Sequence, residues 1–485
     1  MSALSTSFAA SREALIDGLC SAGFRLHDDG GTLTGDIDIA GADIEHEITL
    51  PDDFPVGMPK VKTPFGEGSL SWHREADGHF CLWSEDETAE LPWLEAGDLI
   101  ERVKTWHAKD ALGWPDDPPD LDLERYWPRQ AVLITHPDMD ELAGRHCKVV
   151  KGPNGNLRLL RGKAARKKRA RPREWGAAIV DVGEIERPIH NFDELGDLMD
   201  ADETLALRAG IEDGSLKFVM VRYQRQGHEA VLGLVASDRN PQDLRAAEAA
   251  HEGESTRFLR AGLDADVLAG KRIAVVGVGA VGCQVAEMLV RSGAGELTLV
   301  DGDLIRPGNC IRHVASLRDV GRPKVDAVRD HLVRTELIRP ACVNTDMIPL
   351  RSAERTEALL TNHDLVIDCT ANGSASALLL TASRVLERPV VSVCLLRNGT
   401  VARVDRSPLR TGERHAPALE AGGPDTDLRE GGCGDPVSPT PPWACSAAAA
   451  RAVSMAADLL SGRDAMPASI VDELIVFRDD GSGGA

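Results

Sequence analysis

A glycine-rich turn between an apolar strand and an amphipathic helix is the feature that most restricts the fold of this chain. The run Gly277-Val278-Gly279-Ala280-Val281-Gly282 follows the apolar segment 272–276 and starts a helical pattern over 281–291. Glycines at this spacing allow a tight turn and a close approach of the backbone to phosphate, at a helix end whose amides favour anions. Strand and helix patterns alternate after the turn, which predicts a mostly parallel sheet covered by helices.

Charged side chains follow this turn in a fixed order. Asp301 ends the next predicted strand, where a carboxylate binds a ribose hydroxyl. Asp303, Asn309, Arg312 and Lys324 come after it. A hydride-transfer site binds a diphosphate and has little use for extra cations here, whereas a triphosphate carries more charge for Arg312 and Lys324 to neutralise. The order therefore favours a triphosphate site, and a dehydrogenase is the less favoured reading.

This ordered set resembles the ThiF-type adenylation domain, which ubiquitin-activating enzymes share with the adenylyltransferases of thiamine and molybdopterin biosynthesis. The resemblance implies a Rossmann-like domain over 256–478 that uses ATP and Mg²⁺ to adenylate a carboxylate. It assigns the turn to Gly277, Gly279 and Gly282, the ribose to Asp301, a place beside the site to Asp303, and the ATP phosphates to Asn309, Arg312 and Lys324.

Two further expectations come from the same resemblance. The family usually has Asp-x-Thr-Asp-Asn after the next strand, with magnesium on the second Asp, but here the stretch is Asp368-Cys369-Thr370-Ala371-Asn372. Because Ala371 cannot bind a cation, either Asp368 or Asp303 replaces it or adenylation is weakened; we expect replacement, with Asp368 as the metal ligand. Family members are often dimers in which an upstream arginine reaches the neighbour's ATP site, so Arg257 and Arg260 are candidates for that role in a homodimer.

An adenylated carboxylate can be passed to a thiol, because a thiolate is nucleophilic near neutral pH and leaves well afterwards. Cys433 is the favoured acceptor, since its flanking glycines suit a mobile crossover loop. Cys445 is the alternative, because it begins a predicted helix over 446–460 and a helix N-terminus lowers a thiol pKa. Cys283 and Cys394 are expected to be buried packing thiols.

The N-terminal part carries a second resemblance. The pattern Pro-x-x-Phe-Pro-x-x-x-Pro-Lys-Val over 51–61, a histidine, and Gly-x-x-Cys-Leu over 78–82 resemble the α+β fold of ubiquitin-conjugating enzymes. By that likeness Cys81 is the thioester cysteine and His73 matches the His of the family's His-Pro-Asn tripeptide. The tripeptide here reads His73-Arg74-Glu75, so the asparagine is missing and Glu75 would repel a developing oxyanion.

The chain is therefore predicted to be an α/β multidomain protein. We expect a ubiquitin-conjugating-like domain over 1–115, a small α/β linker domain over 116–255, the adenylation domain over 256–478 and a flexible tail over 479–485. The linker contains a basic cluster over 161–173, interpreted as a solvated loop or a docking patch for an acidic partner.

Composition excludes several classes of function. The net charge of -22 argues against general nucleic-acid binding. No apolar stretch approaches the ~18 residues of a spanning helix, and the ten cysteines include no CxxC pair, which argues against a structural zinc. The start of the chain lacks the pattern of a signal peptide, so we expect a cytoplasmic protein with reduced thiols.

Together these features predict an activating and conjugating fusion enzyme. It would adenylate the C-terminal tail of a small ubiquitin-like protein or a cyclic-nucleotide synthase, pass the acyl group to Cys433 and then Cys81, and conjugate it to a target lysine. The architecture is similar to the fusion enzymes of bacterial CBASS antiphage systems. The alternatives are a sulfur-carrier adenylyltransferase of cofactor biosynthesis and a weakened nucleotide-binding scaffold, the latter motivated by Ala371 and Glu75.

Overall fold

The computed structural model of this chain consists of two units, Met1–Gly253 and Glu254–Ala485. It describes residues 3–63, 71–75, 77–84, 87, 90–114, 121–142, 147–152, 155–162, 174–419 and 438–474. Within these ranges, no helix has both the length and the apolar character that crossing a membrane requires.

The first unit begins with a helix and an antiparallel sheet. Helix α1 (Ala3–Ser21) ends before Gly23, whose φ of 99° breaks the helix. The sheet contains β1 (Arg25–Leu26), β2 (Thr32–Ile39), β3 (Ala42–Thr49) and β4 (Lys60–Lys62), in that order. Helix α2 (Ala96–Leu112) packs against α1 and β2.

Tryptophans concentrate between the sheet and the segment that follows α2. Six of the eight tryptophans of the chain lie between Trp72 and Trp127. Phe80 stacks on Trp106 of α2 with ring centroids 3.9 Å apart, and Trp72, Trp93 and Trp114 are buried in the same core. The large rings fill the space between α2 and the segment 71–84, where helices and strands are scarce.

The middle of the chain forms a closed barrel, still within the first unit. Its strands are β5 (Arg129–His136), β6 (Cys147–Lys151), β7 (Leu157–Arg161), β8 (Glu174–Glu184), β9 (Phe218–Arg225), β10 (His228–Ala236) and β11 (Leu244–His251). They follow the order β10-β11-β5-β7-β6-β8-β9. Two helices, α3 (Phe192–Asp197) and α4 (Ala201–Glu212), connect the parallel strands β8 and β9.

The barrel contains the βαβ crossover of the predicted α/β module, but its closure was not predicted. Strands β9 and β10 form a tight hairpin because Gln226 and Gly227 both have positive φ, which matches the twist of the strands. Strands β6 and β7 are short and carry charged residues such as Lys148 and Arg158, so their pattern alone did not mark them as strands.

The second unit is a doubly wound sheet with helices on its faces. Its strands are β12 (Arg272–Val276), β13 (Glu296–Val300), β14 (Val343–Asp346), β15 (Leu365–Asp368), β16 (Val390–Leu396), β17 (Val401–Ser407) and β18 (Ser469–Glu473). Its helices are α5 (Glu254–Phe258), α6 (Ala265–Ala269), α7 (Gly282–Arg291), α8 (Lys324–Arg334), α9 (Ala353–Asn362), α10 (Gly373–Leu386) and α11 (Pro442–Ser461).

The order of these strands creates a crevice at the centre of the sheet. It is β14-β13-β12-β15-β16-β17-β18, with β12 to β16 parallel and the last two strands antiparallel. The chain leaves β12 toward β13 on one side and later returns to β15 on the other, so the strand order reverses beside β12. Ligands of open α/β sheets bind outside the carboxyl ends of the strands at such a point.

Candidate active sites

In the turn after β12, two of the three glycines pack closely against other backbone atoms, whereas the third faces open space. Gly277 has a φ of 83°, and a side chain there would meet the Cα of Thr370 at 2.8 Å. A Cβ on Gly282 would lie 1.9 Å from the carbonyl oxygen of Gly277, whereas a Cβ on Gly279 would meet no atom within 4 Å. The outer glycines are therefore required by packing, and Gly279 presents bare backbone to open space.

Two side chains hold the turn through the backbone of Val278. The carboxylate of Asp301 accepts hydrogen bonds from the amide of Val278 at 2.9 Å and from the amide of Asp303 at 2.8 Å. The Nε2 of His313 donates to the carbonyl of Val278 at 2.7 Å, because its Nδ1 accepts from the amide of Ala315 at 3.0 Å. Burial, together with the charge of nearby Lys324, lowers the pKa of His313 and keeps the ring neutral.

His313 was not predicted from the sequence. It follows the predicted phosphate ligand Arg312 directly, but its contact with Val278 spans 35 positions of the chain. No local pattern indicates such a contact.

A cavity of about 520 Å³ lies at the carboxyl ends of β12, β13 and β15. Its wall includes Gly277, Asp301 and Asp303 on one side and Thr370 and Asn372 on the other. The Nζ of Lys324 lies 2.8 Å from an oxygen of Asp303, and this amine is largely buried while the carboxylate is exposed. The structure thus brings the turn, Asp301, Asp303 and Lys324 together.

The two remaining predicted phosphate ligands, Arg312 and Asn309, make hydrogen bonds away from this cavity. Arg312 donates through Nη1 to the carbonyls of Ser438 at 3.1 Å and Thr440 at 3.2 Å, and it lines a separate cavity of about 360 Å³ beside α7. The side-chain oxygen of Asn309 accepts from the amide of Arg306 at 2.9 Å and so caps a short helical turn. Neither residue lines the cavity at the glycine turn in this conformation.

The predicted magnesium ligand is buried and fully hydrogen-bonded. Asp368 is 1% exposed, and it accepts hydrogen bonds from the amide and hydroxyl of Thr370 and from the hydroxyls of Ser376 and Ser392. It is absent from the cavity wall, whereas Asp303 forms part of that wall. In the part of the chain that the structure describes, no three His, Cys, Asp or Glu residues form a ready-made metal cluster.

The predicted acceptor thiols differ in their surroundings. Cys433 lies outside the described residues. Helix α11 begins at Pro442, so Cys445 is not at its start but within its first turn, where it is 1% exposed. Burial raises the pKa of Cys445 despite the nearby Arg312, so the expected lowering of its pKa by the helix end is wrong.

The two predicted packing thiols also have raised pKa values. Burial raises the pKa of Cys283 to about 12 and shifts that of the partly buried Cys394 in the same direction.

Cys81 sits on a short hairpin opposite His73. The amide of Cys81 donates to the carbonyl of His73 at 2.7 Å, and the amide of Glu75 donates to the carbonyl of His79 at 2.7 Å. Trp106 of α2 also donates to the carbonyl of His73, at 3.0 Å. The hairpin therefore holds the predicted thioester cysteine and its histidine side by side.

A cavity of about 590 Å³ opens at this hairpin. Its wall includes Cys81, which is partly buried, and the rings of Trp83, Trp106 and Trp114. The charged or titratable residues of the wall are His73, Glu87, Arg102, Lys109, Asp122 and Arg125. The thiol of Cys81 therefore borders a cavity that has both aromatic rings and charged side chains in its wall.

The arginines upstream of β12 lie on the surface. Arg257 belongs to α5 and donates to the carbonyl of Glu336 at 2.8 Å, and Arg260 is exposed just after this helix. Their predicted reach into a neighbouring subunit stays a prediction.

Known proteins resemble the second unit. Residues 256–442 match the ThiF family. The molybdopterin-synthase adenylyltransferase of Escherichia coli (strain K12) is 35% identical over 133 residues, which cover 27% of this chain and 52% of that protein. The adenylyltransferase and sulfurtransferase uba4 of Aspergillus clavatus is 29% identical over 214 residues, which cover 43% of this chain and 39% of that protein.

The chain spans about half or less of the length of these relatives. A crystal structure of E. coli MccB with ATP is 17% identical, with a TM-score of 0.33 over 42% of this chain and 60% of that chain; a likeness of this size carries no argument. The family match bears on the fold, because residues 256–442 are similar to the ThiF family and the sheet of the second unit is Rossmann-like.

Proposed function

We propose that this chain uses ATP to adenylate the C-terminal carboxylate of a protein or peptide. The observation that carries the proposal is the cavity at the glycine turn, inside a ThiF-family region, where Asp301, Asp303 and Lys324 meet. A carboxylate oxygen of the substrate would attack the α-phosphorus of ATP, and pyrophosphate would leave. The molybdopterin-synthase relative of E. coli and the uba4 relative of Aspergillus clavatus are both adenylyltransferases by name.

The residues of the cavity suit the parts of ATP. The open space at Gly279 lets phosphate oxygens approach the backbone amides at the start of α7. Asp301 would hold the ribose, and Lys324 would exchange its bond with Asp303 for a phosphate oxygen. Arg312 would join it by leaving the carbonyls of Ser438 and Thr440.

Magnesium bound with the ATP phosphates would need about one protein carboxylate, since this ion usually keeps several waters. Asp303 suits that task better than Asp368, because its carboxylate is exposed at the cavity whereas that of Asp368 is buried and saturated. When bound, the ion would neutralise part of the negative charge of the phosphates.

We further propose that the acyl group passes to Cys433 and then to Cys81, and from there to a target lysine. The support is the second cavity, which joins Cys81 and His73 to aromatic and cationic side chains. A homodimeric enzyme acting in bacterial antiphage defence, on a ubiquitin-like protein or a cyclic-nucleotide synthase, fits this chemistry.

A sulfur-carrier adenylyltransferase is the second candidate. The names of the molybdopterin-synthase and uba4 relatives favour it. It would require adenylation but no function for Cys81. A nucleotide-binding scaffold without catalysis would require neither.

One experiment separates the three. The purified chain is incubated with MgATP and the proteins encoded beside its gene, and its mass is measured with and without reductant. We expect the unmodified chain to form a covalent adduct that reductant removes. Cys433→Ala should form no such adduct. Cys81→Ala should keep the adduct on Cys433 but yield no final conjugates. Conjugate formation unaffected by Cys81→Ala would favour the sulfur-carrier enzyme, and absence of pyrophosphate release with every candidate protein would refute adenylation.

A further inference from the structure

The Cys81 cavity is completed by a segment that lies outside the hairpin and α2. Asp122 and Arg125 line the cavity, and they belong to the connection between α2 and the barrel. Residues Leu123–Tyr126 form a short 3₁₀ turn there, with Leu123 and Tyr126 buried in the core. The turn therefore has a fixed place beside the thiol.

The barrel fixes the other side of the hairpin. The indole nitrogen of Trp72 donates to the carbonyl of Glu186 at 2.9 Å, and the buried guanidinium of Arg225 lies 3.7 Å above the ring of Trp72. Tyr126 meets the same ring edge-on. The middle of the chain thus packs against the Cys81 hairpin rather than acting only as a linker.

Most charges around the cavity are balanced by a neighbour. The Nη2 of Arg102 donates hydrogen bonds to both carboxylate oxygens of Glu87, at 3.1 and 2.8 Å. Asp122 lies 3.8 Å from Arg129. Lys109 lies above the ring of Trp114 at 5.7 Å.

Asp122 also faces Glu124. Burial, and then the hydrogen bond with Asp122, raise the pKa of the Glu124 carboxyl, so it adds little negative charge.

Arg125 has a different partner. Its Nη2 donates to Oε1 of Glu75 at 3.0 Å, and Glu75 itself is not part of the cavity wall. Glu75 lies two residues beyond His73 on the hairpin strand that pairs with Cys81, and a carboxylate there without a partner would oppose negative charge at the Cys81 sulfur. The ion pair spans 50 positions of the chain and ties this carboxylate to a cation that lines the thiol cavity.

We propose that Arg125 sets the charge at Cys81 by neutralising Glu75, so that thiolate and oxyanion are tolerated without the missing asparagine. The inference rests on the proposed role of Cys81. In the transfer step the Cys81 sulfur bonds to the carbonyl carbon of the incoming thioester, the oxyanion forms and collapses, and the donor sulfur leaves as a thiolate. Arg125 is a positioning residue for this charge and forms no bond to the acyl group.

The test measures the rate at which iodoacetamide alkylates Cys81 in the full chain from pH 6 to 9, followed by peptide mass spectrometry. Arg125→Gln leaves Glu75 uncompensated, and we expect alkylation at pH 7 to slow by about tenfold, since an unbalanced carboxylate nearby raises a thiol pKa by about one unit or more. Arg125→Lys should stay within about threefold of the unmodified chain. Glu75→Gln should accelerate the reaction.

The double variant Arg125→Gln with Glu75→Gln decides the mechanism. It should return to within about threefold of the unmodified rate, because both charges of the pair are gone. Arg245→Gln is the matched control, since it removes an exposed arginine that is paired with a carboxylate, Asp243, and neither of these residues lines the cavity.

A rate for Arg125→Gln equal to that of the control, or a double variant as slow as Arg125→Gln, overturns the inference. Misfolding exposes Cys81 and accelerates alkylation, so it cannot imitate the expected slowing. Should Arg125→Gln fail to fold, the acceleration by Glu75→Gln and the rate of Arg125→Lys carry the test. No ATP or donor protein is needed, so the outcome is independent of whether Cys81 forms a thioester.

Discussion

Two glycines of the same turn should respond in opposite ways to one added methyl group. Gly282→Ala places a Cβ 1.9 Å from the carbonyl oxygen of Gly277, and neither atom belongs to a flexible side chain. The backbone must shift, at a cost of about 3 kcal/mol, the upper part of the range for overpacking. For a unit the size of Glu254–Ala485 this corresponds to a Tm lowered by about 6–12 °C.

Gly279→Ala meets no atom within 4 Å, so the folded state accepts the methyl group. The loss of freedom in the unfolded chain should raise stability by about 0.4–1 kcal/mol, or Tm by about 1–4 °C. The methyl group nevertheless stands where phosphate would approach the backbone. We expect the affinity for MgATP to fall by about tenfold or more.

Differential scanning calorimetry without nucleotide and titration calorimetry with MgATP measure the two effects separately. Gly270→Ala, at the end of α6, is the control, because its nearest neighbour would be in ordinary contact at 3.8 Å. Undiminished MgATP affinity in Gly279→Ala would refute the placement of phosphate at this turn. An unchanged Tm in Gly282→Ala would refute the packing argument.

Three further results are expected. Ala371→Asp should keep the fold, since a φ of 51° suits Asp better than Ala. The rate of MgATP–pyrophosphate exchange should be several-fold higher in Ala371→Asp than in Ala371→Asn. Equal rates would refute the hypothesis that a metal-binding carboxylate is missing at this position. The pKa of His107 is lowered to about 4 by burial and by its neighbour His46. Because the unfolded chain then binds a proton at higher pH than the folded chain, the free energy of unfolding should fall by about 2 kcal/mol as the pH drops from 6.5 toward 4. Tryptophan fluorescence should show a weaker acid dependence in His107→Gln, and identical slopes would contradict this. Iodoacetamide should modify Cys81 before Cys445; equal rates would show that Cys445 is accessible.

The local geometry of the proposed nucleotide site could be predicted from the sequence. The glycine turn and Asp301 each follow an apolar strand, and the carboxyl ends of neighbouring parallel strands meet at one edge of the sheet. The strands β12, β13 and β15 were predicted because each is an apolar run bounded by polar residues. Such features depend on a few consecutive residues, which a sequence displays directly.

Contacts between distant segments could not be predicted in this way. The hydrogen bond from His313 to Val278 and the turn of Arg312 toward Thr440 depend on how the segments pack. The barrel closes through the parallel pairs β11 with β5 and β5 with β7, which join segments far apart in the chain. When the partner of a residue comes from a distant segment, the neighbouring residues in the sequence do not indicate the contact.

The choice among the thiols illustrates the same limit in energetic terms. A motif ranks cysteines by their neighbours along the chain, whereas nucleophilicity depends on the cost of placing a charge on sulfur. Burial raises that cost at Cys283, Cys369 and Cys445, and for Cys445 it outweighs the nearby Arg312. Cys81 instead borders a cavity with cations in its wall. Desolvation therefore counts against Cys283, Cys369 and Cys445 as acyl carriers, whereas the role proposed for Cys81 is compatible with its partly buried position at a cavity.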